Sequence, residues 1–288
     1  MSYIIGSFNM QKWGGNNSKD YDMLKKIIET ENFDIVAFQE VFSDDPIQAI
    51  CRSLKGTWEY CVGYPEKSQG GEGYAFIWKA RRISLAKSRK NNNPQIVEKY
   101  KVKRDLDILG LRRAPYYARF TPKALPNMEI RLINTHIRFN KVKSDDISRS
   151  DQRYQEFRIL AEDIMARISN QPEFNKDFYT VLLGDYNLTL VQIREKGQIT
   201  VESRSGQKLK EITTAQELPT SLSNDDNTKI IYANNYDHFT YNTENFERLC
   251  SFDIERIDAV NKYFDNDREA YKTKISDHVP IKLTIRLK

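Results

Sequence analysis

Histidine and cysteine are both scarce in this chain, with three of each in 288 residues. Cys51, Cys61 and Cys250 are odd in number, widely spaced and without a CxxC pair. That excludes a disulfide framework and a thiolate zinc site, and leaves them as small core residues. No apolar run approaches the roughly eighteen residues that a spanning helix needs, so no membrane partner is expected. The opening residues MSYIIGSFNM lack the basic segment and long apolar stretch of a secretory leader, and Tyr3 to Phe8 reads as a strand. A cytoplasmic protein is the expectation, with a mature secreted form still compatible. Pro-rich linkers, repeats and composition breaks are lacking too, so residues 1–288 read as one domain.

What is present is an ordinary globular mixture, 39% hydrophobic and 30% charged. A chain of this length buries roughly three quarters of its unfolded surface, so a sizeable core is available. The net charge of +5 is unevenly spread. Between Lys79 and Arg119 lie thirteen basic residues against Glu98, Asp105 and Asp107, a local excess of ten. Such a stretch attracts a polyanion such as nucleic acid, or it is simply a solvated loop.

Strand and helix patterns alternate. YIIGSFNM, FDIVAFQE, GYAFIWK, APYYARF, MEIRLINTHI, YTVLLGD, YDHFTYN, FDIERIDAV and VPIKLTIRLK read as strands. Ser18 is placed to cap a helix with Met23, Leu24, Ile27 and Ile28 on one face, and Ser43 to Pro46 opens a second. Arg149 to Asn170 is the clearest helix, with Tyr154, Phe157, Leu160, Ala161, Ile164 and Ile168 in one apolar stripe. From Leu190 to Asn235 the pattern is too weak to assign. The reading is an α/β protein with more strand than a doubly wound fold needs.

Several apolar strands end in polar groups. Asn9 follows IIGSF, Glu40 ends DIVAFQE, His136 ends IRLINTH, Asp185 and Asn187 end VLLGDYN, and Asp277 with His278 introduces VPIKL. Strand ends hold side chains rigidly around an open cleft. Glu40, Asp185, Asp277, Asn9 and Asn187 offer hard oxygens that suit Mg²⁺ or Mn²⁺ better than zinc. Two of the three histidines stand at these ends, and metal with imidazole points to hydrolysis of a phosphate ester. Taken singly, each residue is as well explained as a turn, a cap or a core histidine.

The ordered series SFNM, AFQEV, NTH, GDYN and ISDHVP resembles the endonuclease/exonuclease/phosphatase superfamily, the DNase I-like metal-dependent hydrolases, from Asn9 to Pro280. The resemblance implies a four-layer α/β sandwich, two mixed sheets face to face with helices outside. The local spelling is closest to DNase I-type endonucleases. GEGYAFIW implies that Glu72 orients His136, RRAPYYARF makes Arg113 a phosphate contact, and NNYDHF makes Asp237 the partner of His278. By the same resemblance Glu40 holds a divalent metal, with Asn9, Asp185 and Asp277 near that ion or a second. Mg²⁺ is expected, Mn²⁺ can substitute, and Ca²⁺ can serve as an auxiliary ion. Water is activated by His278 with Asp237, or by Asp185. His136 protonates the leaving oxygen, Asn187 and Arg113 stabilise phosphoryl charge, and the products are a 5′-phosphate and a 3′-hydroxyl.

The match departs where DNase I-type enzymes read the minor groove: the positions of their arginine and tyrosine carry Phe42 and Gly70. The basic Lys79 to Arg119 stretch is expected to grip phosphates instead, with Phe42, Tyr116 or Tyr117 stacking on an unpaired base. A DNA endonuclease without an obligate protein partner is the first expectation. A phosphatase or phosphodiesterase acting on an inositol phosphate, phospholipid headgroup or nucleotide is the second, and a binding module that has lost catalysis the third. Ser223 to Asn227 carries ligand-like residues but lacks the closing Glu of a calcium loop.

Overall fold

In this computed structural model, residues 1–15, 18–65, 71–86, 93–98, 111–139, 149–169, 177–195, 201–202, 208–209, 212–224, 230–243 and 250–287 are described. Two parallel strand pairs form its centre. β1 (Ser2–Trp13) runs parallel to β2 (Ile35–Val41), and α1 (Tyr21–Thr30) makes the crossover between them. β8 (Met128–His136) runs parallel to β9 (Asp177–Asp185), joined by a helical stretch of α3 (Arg149–Arg158), a π-helical segment (Ile159–Met165) and α4 (Ala166–Ser169). A parallel pair needs such a crossover, and the crossover helices cover the outer faces.

Antiparallel strands extend both pairs. α2 (Asp45–Ser53), β3 (Trp58–Gly63), β4 (Gly73–Lys79), β14 (Cys250–Arg256) and β15 (Ile281–Leu287) belong with β1 and β2, in the strand order β14-β15-β1-β2-β4-β3. β5 (Ile83–Leu85), β7 (Tyr116–Pro122), β12 (Ile212–Ala215) and β13 (Asp237–Asn242) join β8 and β9 in the order β12-β13-β9-β8-β7-β5, and β6 (Gln95–Ile96) also pairs with β7. Alternate residues of each central strand face opposite cores. Tyr3, Ile5, Ile35, Ala37, Phe76, Ile130, Leu132, Val181 and Leu183 pack between the sheets. Phe8, Val36 and Phe38 face α1 and α2, while Ile133 and Leu182 face Phe157, Leu160 and Ile164. Burial on both faces explains why these strands read as continuous apolar runs. Helix, sheet, sheet, helix is the four-layer sandwich that the sequence resemblance implies.

Several local expectations need correcting. Asp20, not Ser18, caps α1, its carboxylate accepting from Met23 N at 2.9 Å. The FDIERIDAV strand ends at Arg256, because Asp258 caps a short helix, α6 (Ala259–Phe264). A further helix, α7 (Arg268–Lys274), leads into the Ser276 to His278 segment. The unassigned stretch after Leu190 contains α5 (Leu190–Glu195), the short antiparallel pair β10 (Val201–Glu202) and β11 (Lys208–Leu209), and β12. No described helix is long and apolar enough to cross a membrane.

Candidate active site

The topology decides where polar groups collect. Asn9, Glu40, His136 and Asp185 lie at or near the C-terminal ends of the two parallel pairs. Antiparallel neighbours begin at that same end, which brings Glu72 just ahead of β4, Asp277 and His278 just ahead of β15, and Asp237 at the start of β13. One edge of the sandwich therefore receives carboxylates and imidazoles from both sheets. Beneath it, Gln39 Nε2 donates to Asn134 Oδ1 at 2.7 Å, and Asn134 Nδ2 donates to the Phe38 carbonyl at 2.9 Å. This buried amide bridge locks the sheets together directly under the site.

Irregular backbone aims the side chains. Glu40 is skipped in the β2–β4 ladder, where Gln39 pairs with Tyr74 and Val41 with Gly73, and its φ is +58°. The bulge turns its carboxylate out of the sheet, an unusual conformation for glutamate of the kind concentrated at functional sites. Asn187 has φ +49°, a conformation that asparagine tolerates well. Gly184 has φ +134°, and a Cβ there would lie 1.9 Å from the Thr135 carbonyl oxygen. Only glycine lets β8 and β9 approach so closely just before Asp185.

Asp185 is the centre. Its Oδ2 accepts from Asn9 Nδ2 at 2.9 Å and its Oδ1 from Asn187 N at 2.8 Å. His136 Nε2 stands 3.5 Å from Oδ2 and His278 Nε2 stands 3.7 Å from it. Each imidazole turns its other nitrogen to a carboxylate: His136 Nδ1 is 2.5 Å from Glu72 Oε1, and His278 Nδ1 is 2.7 Å from Asp237 Oδ2. Arg113 Nη2 lies 2.6 Å from the second Glu72 oxygen. Asn187 Nδ2 donates to the Ile137 carbonyl at 2.8 Å and stands 3.2 Å from His136 Nε2. Asn9 Nδ2 also reaches Glu40 Oε1 at 3.1 Å, and Lys12 N donates to Glu40 Oε2 at 3.1 Å.

Burial and charge set the titration of this cluster. Burial opposes a charged His278, yet Asp237 and Asp185 outweigh it and hold its pKa well above the ordinary histidine value. His136 is also raised, against burial, by Glu72 and Asp185, while Arg113 works in the other direction. Asp185 is raised by burial and the nearby Asp237 carboxylate, in spite of both imidazoles. Glu72 and Asp237 are lowered against burial by the histidines they hold.

A metal is the remaining question for the donor set. Among the described residues, no group of three or more His, Cys, Asp or Glu side chains is drawn together as a finished cage. Mg²⁺ does not require one, since it keeps several waters and binds through one or two carboxylates plus substrate. Glu40, Asn9, Asp185 and Asp277 supply hard oxygens, and the Asp277 carboxylate has no hydrogen bond or ion pair among the described residues. The residues present fit a hard divalent ion.

A model of the endonuclease/exonuclease/phosphatase family matches residues 6–278. The chain belongs to this family. No curated protein matches the chain. Solved structures similar to it include a mannosyl-6-phosphatase from Bacteroides thetaiotaomicron, 16% identical, TM-score 0.60, covering 98% of this chain and 99% of that one. ANGEL2, a 2′,3′-cyclic phosphatase, is 14% identical with TM-score 0.62, covering 99% and 95%. An AP endonuclease from Leishmania major is 13% identical with TM-score 0.58, covering 99% and 88%. At these identities the likeness establishes the shared fold, and family membership establishes hydrolysis of phosphate esters as the class of chemistry.

The structure brings Asn9, Glu40, Glu72, Arg113, His136, Asp185, Asn187, Asp237 and His278 into this one endonuclease/exonuclease/phosphatase-type site, with Asp277 beside them. Tyr116 is a correction. It is 2% exposed and stacks on Phe76 between the sheets, so it reaches no substrate. Tyr117 is buried on the outer face of its sheet with Ile133 and Leu182, and Phe42 is half-buried. Of the basic stretch, Lys87, Arg89, Lys90, Lys99, Lys101, Lys103 and Arg104 lie outside the described residues. Lys79 and Arg82 are bound to Asp34, Arg113 to Glu72 and Arg119 to Glu129, so these cations are already engaged. Gly70 and residues 225–227 of the calcium-like run also lie outside the described residues. Lys19 is 7% exposed, and burial pulls its ammonium down to about 8 against the attraction of Asp277 and Glu40, which the motifs do not reveal.

Proposed function

We propose that this protein is a Mg²⁺-dependent phosphodiesterase that cuts DNA to 5′-phosphate and 3′-hydroxyl ends. One observation carries the hydrolytic reading: two imidazole Nε2 atoms converge on Asp185 Oδ2, each backed by a carboxylate from the opposite sheet. Glu40, with Asn9, Asp185 and Asp277 at hand, would hold a divalent ion, which would supply Lewis-acid polarisation of the phosphoryl group. Asp185, whose buried carboxyl is more basic than an ordinary aspartate, is the better placed group to take a proton from water. His278, kept charged by Asp237 and Asp185, presents an N–H to phosphoryl oxygen and stabilises its negative charge. His136, with one nitrogen fixed by Glu72, presents the other to the leaving oxygen as acid, and the Asn187 amide, held by the Ile137 carbonyl, is placed to donate to the phosphoryl group.

DNA as substrate is supported by the DNase I-like pairing of Glu72 with His136 and by the basic stretch of sequence. A second reading, a phosphatase or phosphodiesterase for a small phosphorylated molecule, is favoured by the engagement of Lys79, Arg82, Arg113 and Arg119 with carboxylates, which leaves them no grip on a polymer backbone. Supercoiled plasmid in Mg²⁺, beside EDTA and a purified His278→Ala variant, separates the two. Nicking that disappears in both controls is the expected result. An intact plasmid, together with phosphate release from small esters by the same preparation, replaces the nuclease by the phosphatase.

A further inference from the structure

Tyr74 is 1% exposed in the core between the sheets, yet its hydroxyl does more than fill space. It stands two residues after Glu72, and residues two apart on a strand share a face, so both side chains leave the first sheet toward β8. Phe76, next on that face, stacks on Tyr116 with centroids 5.5 Å apart. Tyr74 instead reaches across the sandwich, where its hydroxyl oxygen accepts the His136 N–H at 3.2 Å. The ladder explains why that N–H lacks a strand partner. β7 pairs with β8 no further than Tyr116 opposite Asn134, and the N–H after His136, that of Ile137, turns to the Asp185 carbonyl at 2.9 Å. Burial pushes the Tyr74 phenol up, so the hydroxyl that takes the His136 N–H stays neutral. Glu72 Oε1 grips the same residue by its ring, 2.5 Å from Nδ1, and Arg113 Nη1 stands 3.5 Å from its carbonyl oxygen. His136 is thus held at backbone and ring by two side chains from one strand end.

We propose that Tyr74 is a positioning residue for phosphate-ester hydrolysis, fixing the His136 backbone while Glu72 fixes the ring, so that Nε2 is aimed at the leaving oxygen. The inference rests on the reading of His136 as leaving-group acid and adds the group that aims it. Glu72 alone holds the imidazole at one point, about which the ring can pivot. With the backbone held as well, both ends of the side chain are fixed, and Nε2 points to one place, 3.5 Å from Asp185 Oδ2. Proton transfer to a leaving group depends steeply on such aim. Phenylalanine at this position keeps the ring and most of its volume but leaves the His136 N–H buried without a partner, so the end of β8 relaxes away from Glu72.

The test is Tyr74→Phe in the full chain with Mg²⁺, on two phosphate esters that differ only in the leaving group, p-nitrophenoxide in one and an alkoxide in the other. p-Nitrophenoxide departs without a proton, whereas an alkoxide needs the acid. Both rates come from one preparation, so their ratio does not depend on how much of the variant is folded. His136→Ala sets the scale and should slow the alkyl ester far more than the aryl ester. Tyr74→Phe should show the same bias in smaller measure, with kcat for the alkyl ester down about tenfold, kcat for the aryl ester within about threefold, and both KM values unchanged. Equal losses on the two esters, or no loss on either, overturn the proposal, because a tyrosine that only packs the core moves both rates alike. If His136→Ala slows both esters equally, the acid reading of His136 falls, and the role of Tyr74 falls with it.

Discussion

His136 with Glu72 and His278 with Asp237 are one device built twice, on either side of Asp185. Each histidine comes from one sheet and its carboxylate from the other, and each points Nε2 at the same aspartate oxygen. The difference lies in the third group. Glu72 is shared with Arg113, and the Asn187 amide sits against His136 Nε2, so its anion is partly spent and the ring is crowded by a donor. Among the described residues no second cation is paired with Asp237, and both it and Asp185 act on His278. The same parts therefore give an imidazole that exchanges its proton more readily on the Arg113 side and one held charged on the other. Two roles follow from two surroundings, as proton donor to a leaving group and as fixed positive charge.

The largest expected effect is loss of either ring. His136→Ala and His278→Ala should each lower kcat about 10²–10⁴-fold, the range for a positioned acid or base. The comparison is broken if the surviving activities share one pH profile, since the two rings would then be doing the same work. His136→Ala should abolish the alkaline limb that reports a protonated acid, and His278→Ala should leave that limb in place while lowering the plateau.

Next come the groups behind the rings, with losses on the order of tenfold to a hundredfold, as for other partners that orient a working histidine. With three histidines in the chain, imidazole NMR titration in EDTA reads each ring by itself. The wild-type order should be His238 lowest, below the ordinary value, with His136 above it and His278 highest. Asp237→Asn should lower His278, and Glu72→Gln should lower His136. Arg113→Met should raise His136 and leave His278 in place. Movement of both rings together would show one coupled cluster in place of two devices.

Stability should follow the same signs. A histidine raised in the folded state stabilises fully below the ordinary pKa of about 6.5 and loses that contribution as pH rises through its folded value. Both His136 and His278 are of this kind, so urea midpoints in EDTA should fall from about pH 6.5 to pH 8. His278→Gln should flatten that decline. A midpoint that rises across the window would contradict the charged assignment of both rings.

Much of this site is legible in the sequence because rigid strand ends hold it. Asn9, Glu40, His136 and Asp185 each close an apolar run, and such a run in a sheet covered on both faces delivers its last residue to an edge. Asp237 and Glu72 were legible only through family spelling, since by themselves they look like turn residues. Tyr116 misleads for a physical reason: an aromatic in a strand between two sheets has the same local pattern whether it faces a ligand or, as here, Phe76. The burial of Lys19 was invisible because a lone lysine near a helix start is normally solvated, and the backbone next to it is tied to the end of α7, over two hundred residues away.

The smallest effect belongs to the third histidine, which serves as the control. His238 follows Asp237 directly in β13, is fully buried, and packs on the Tyr186 ring with centroids 5.3 Å apart. Its Nε2 lies 2.9 Å from the Leu188 carbonyl, so that nitrogen carries the proton and donates. Burial holds its pKa down, so this ring stays neutral where its neighbours are charged. It ties down the loop after Asn187 and does not face Asp185. His238→Phe keeps the aromatic volume but leaves the Leu188 carbonyl unpaired, at a cost of about 1–3 kcal/mol. Chemical denaturation should register that loss, while kcat at saturating substrate falls by no more than a few-fold. A loss of kcat comparable with that of His278→Ala would mean that all three imidazoles form one proton network, and the division into two devices and a structural tie would have to be abandoned.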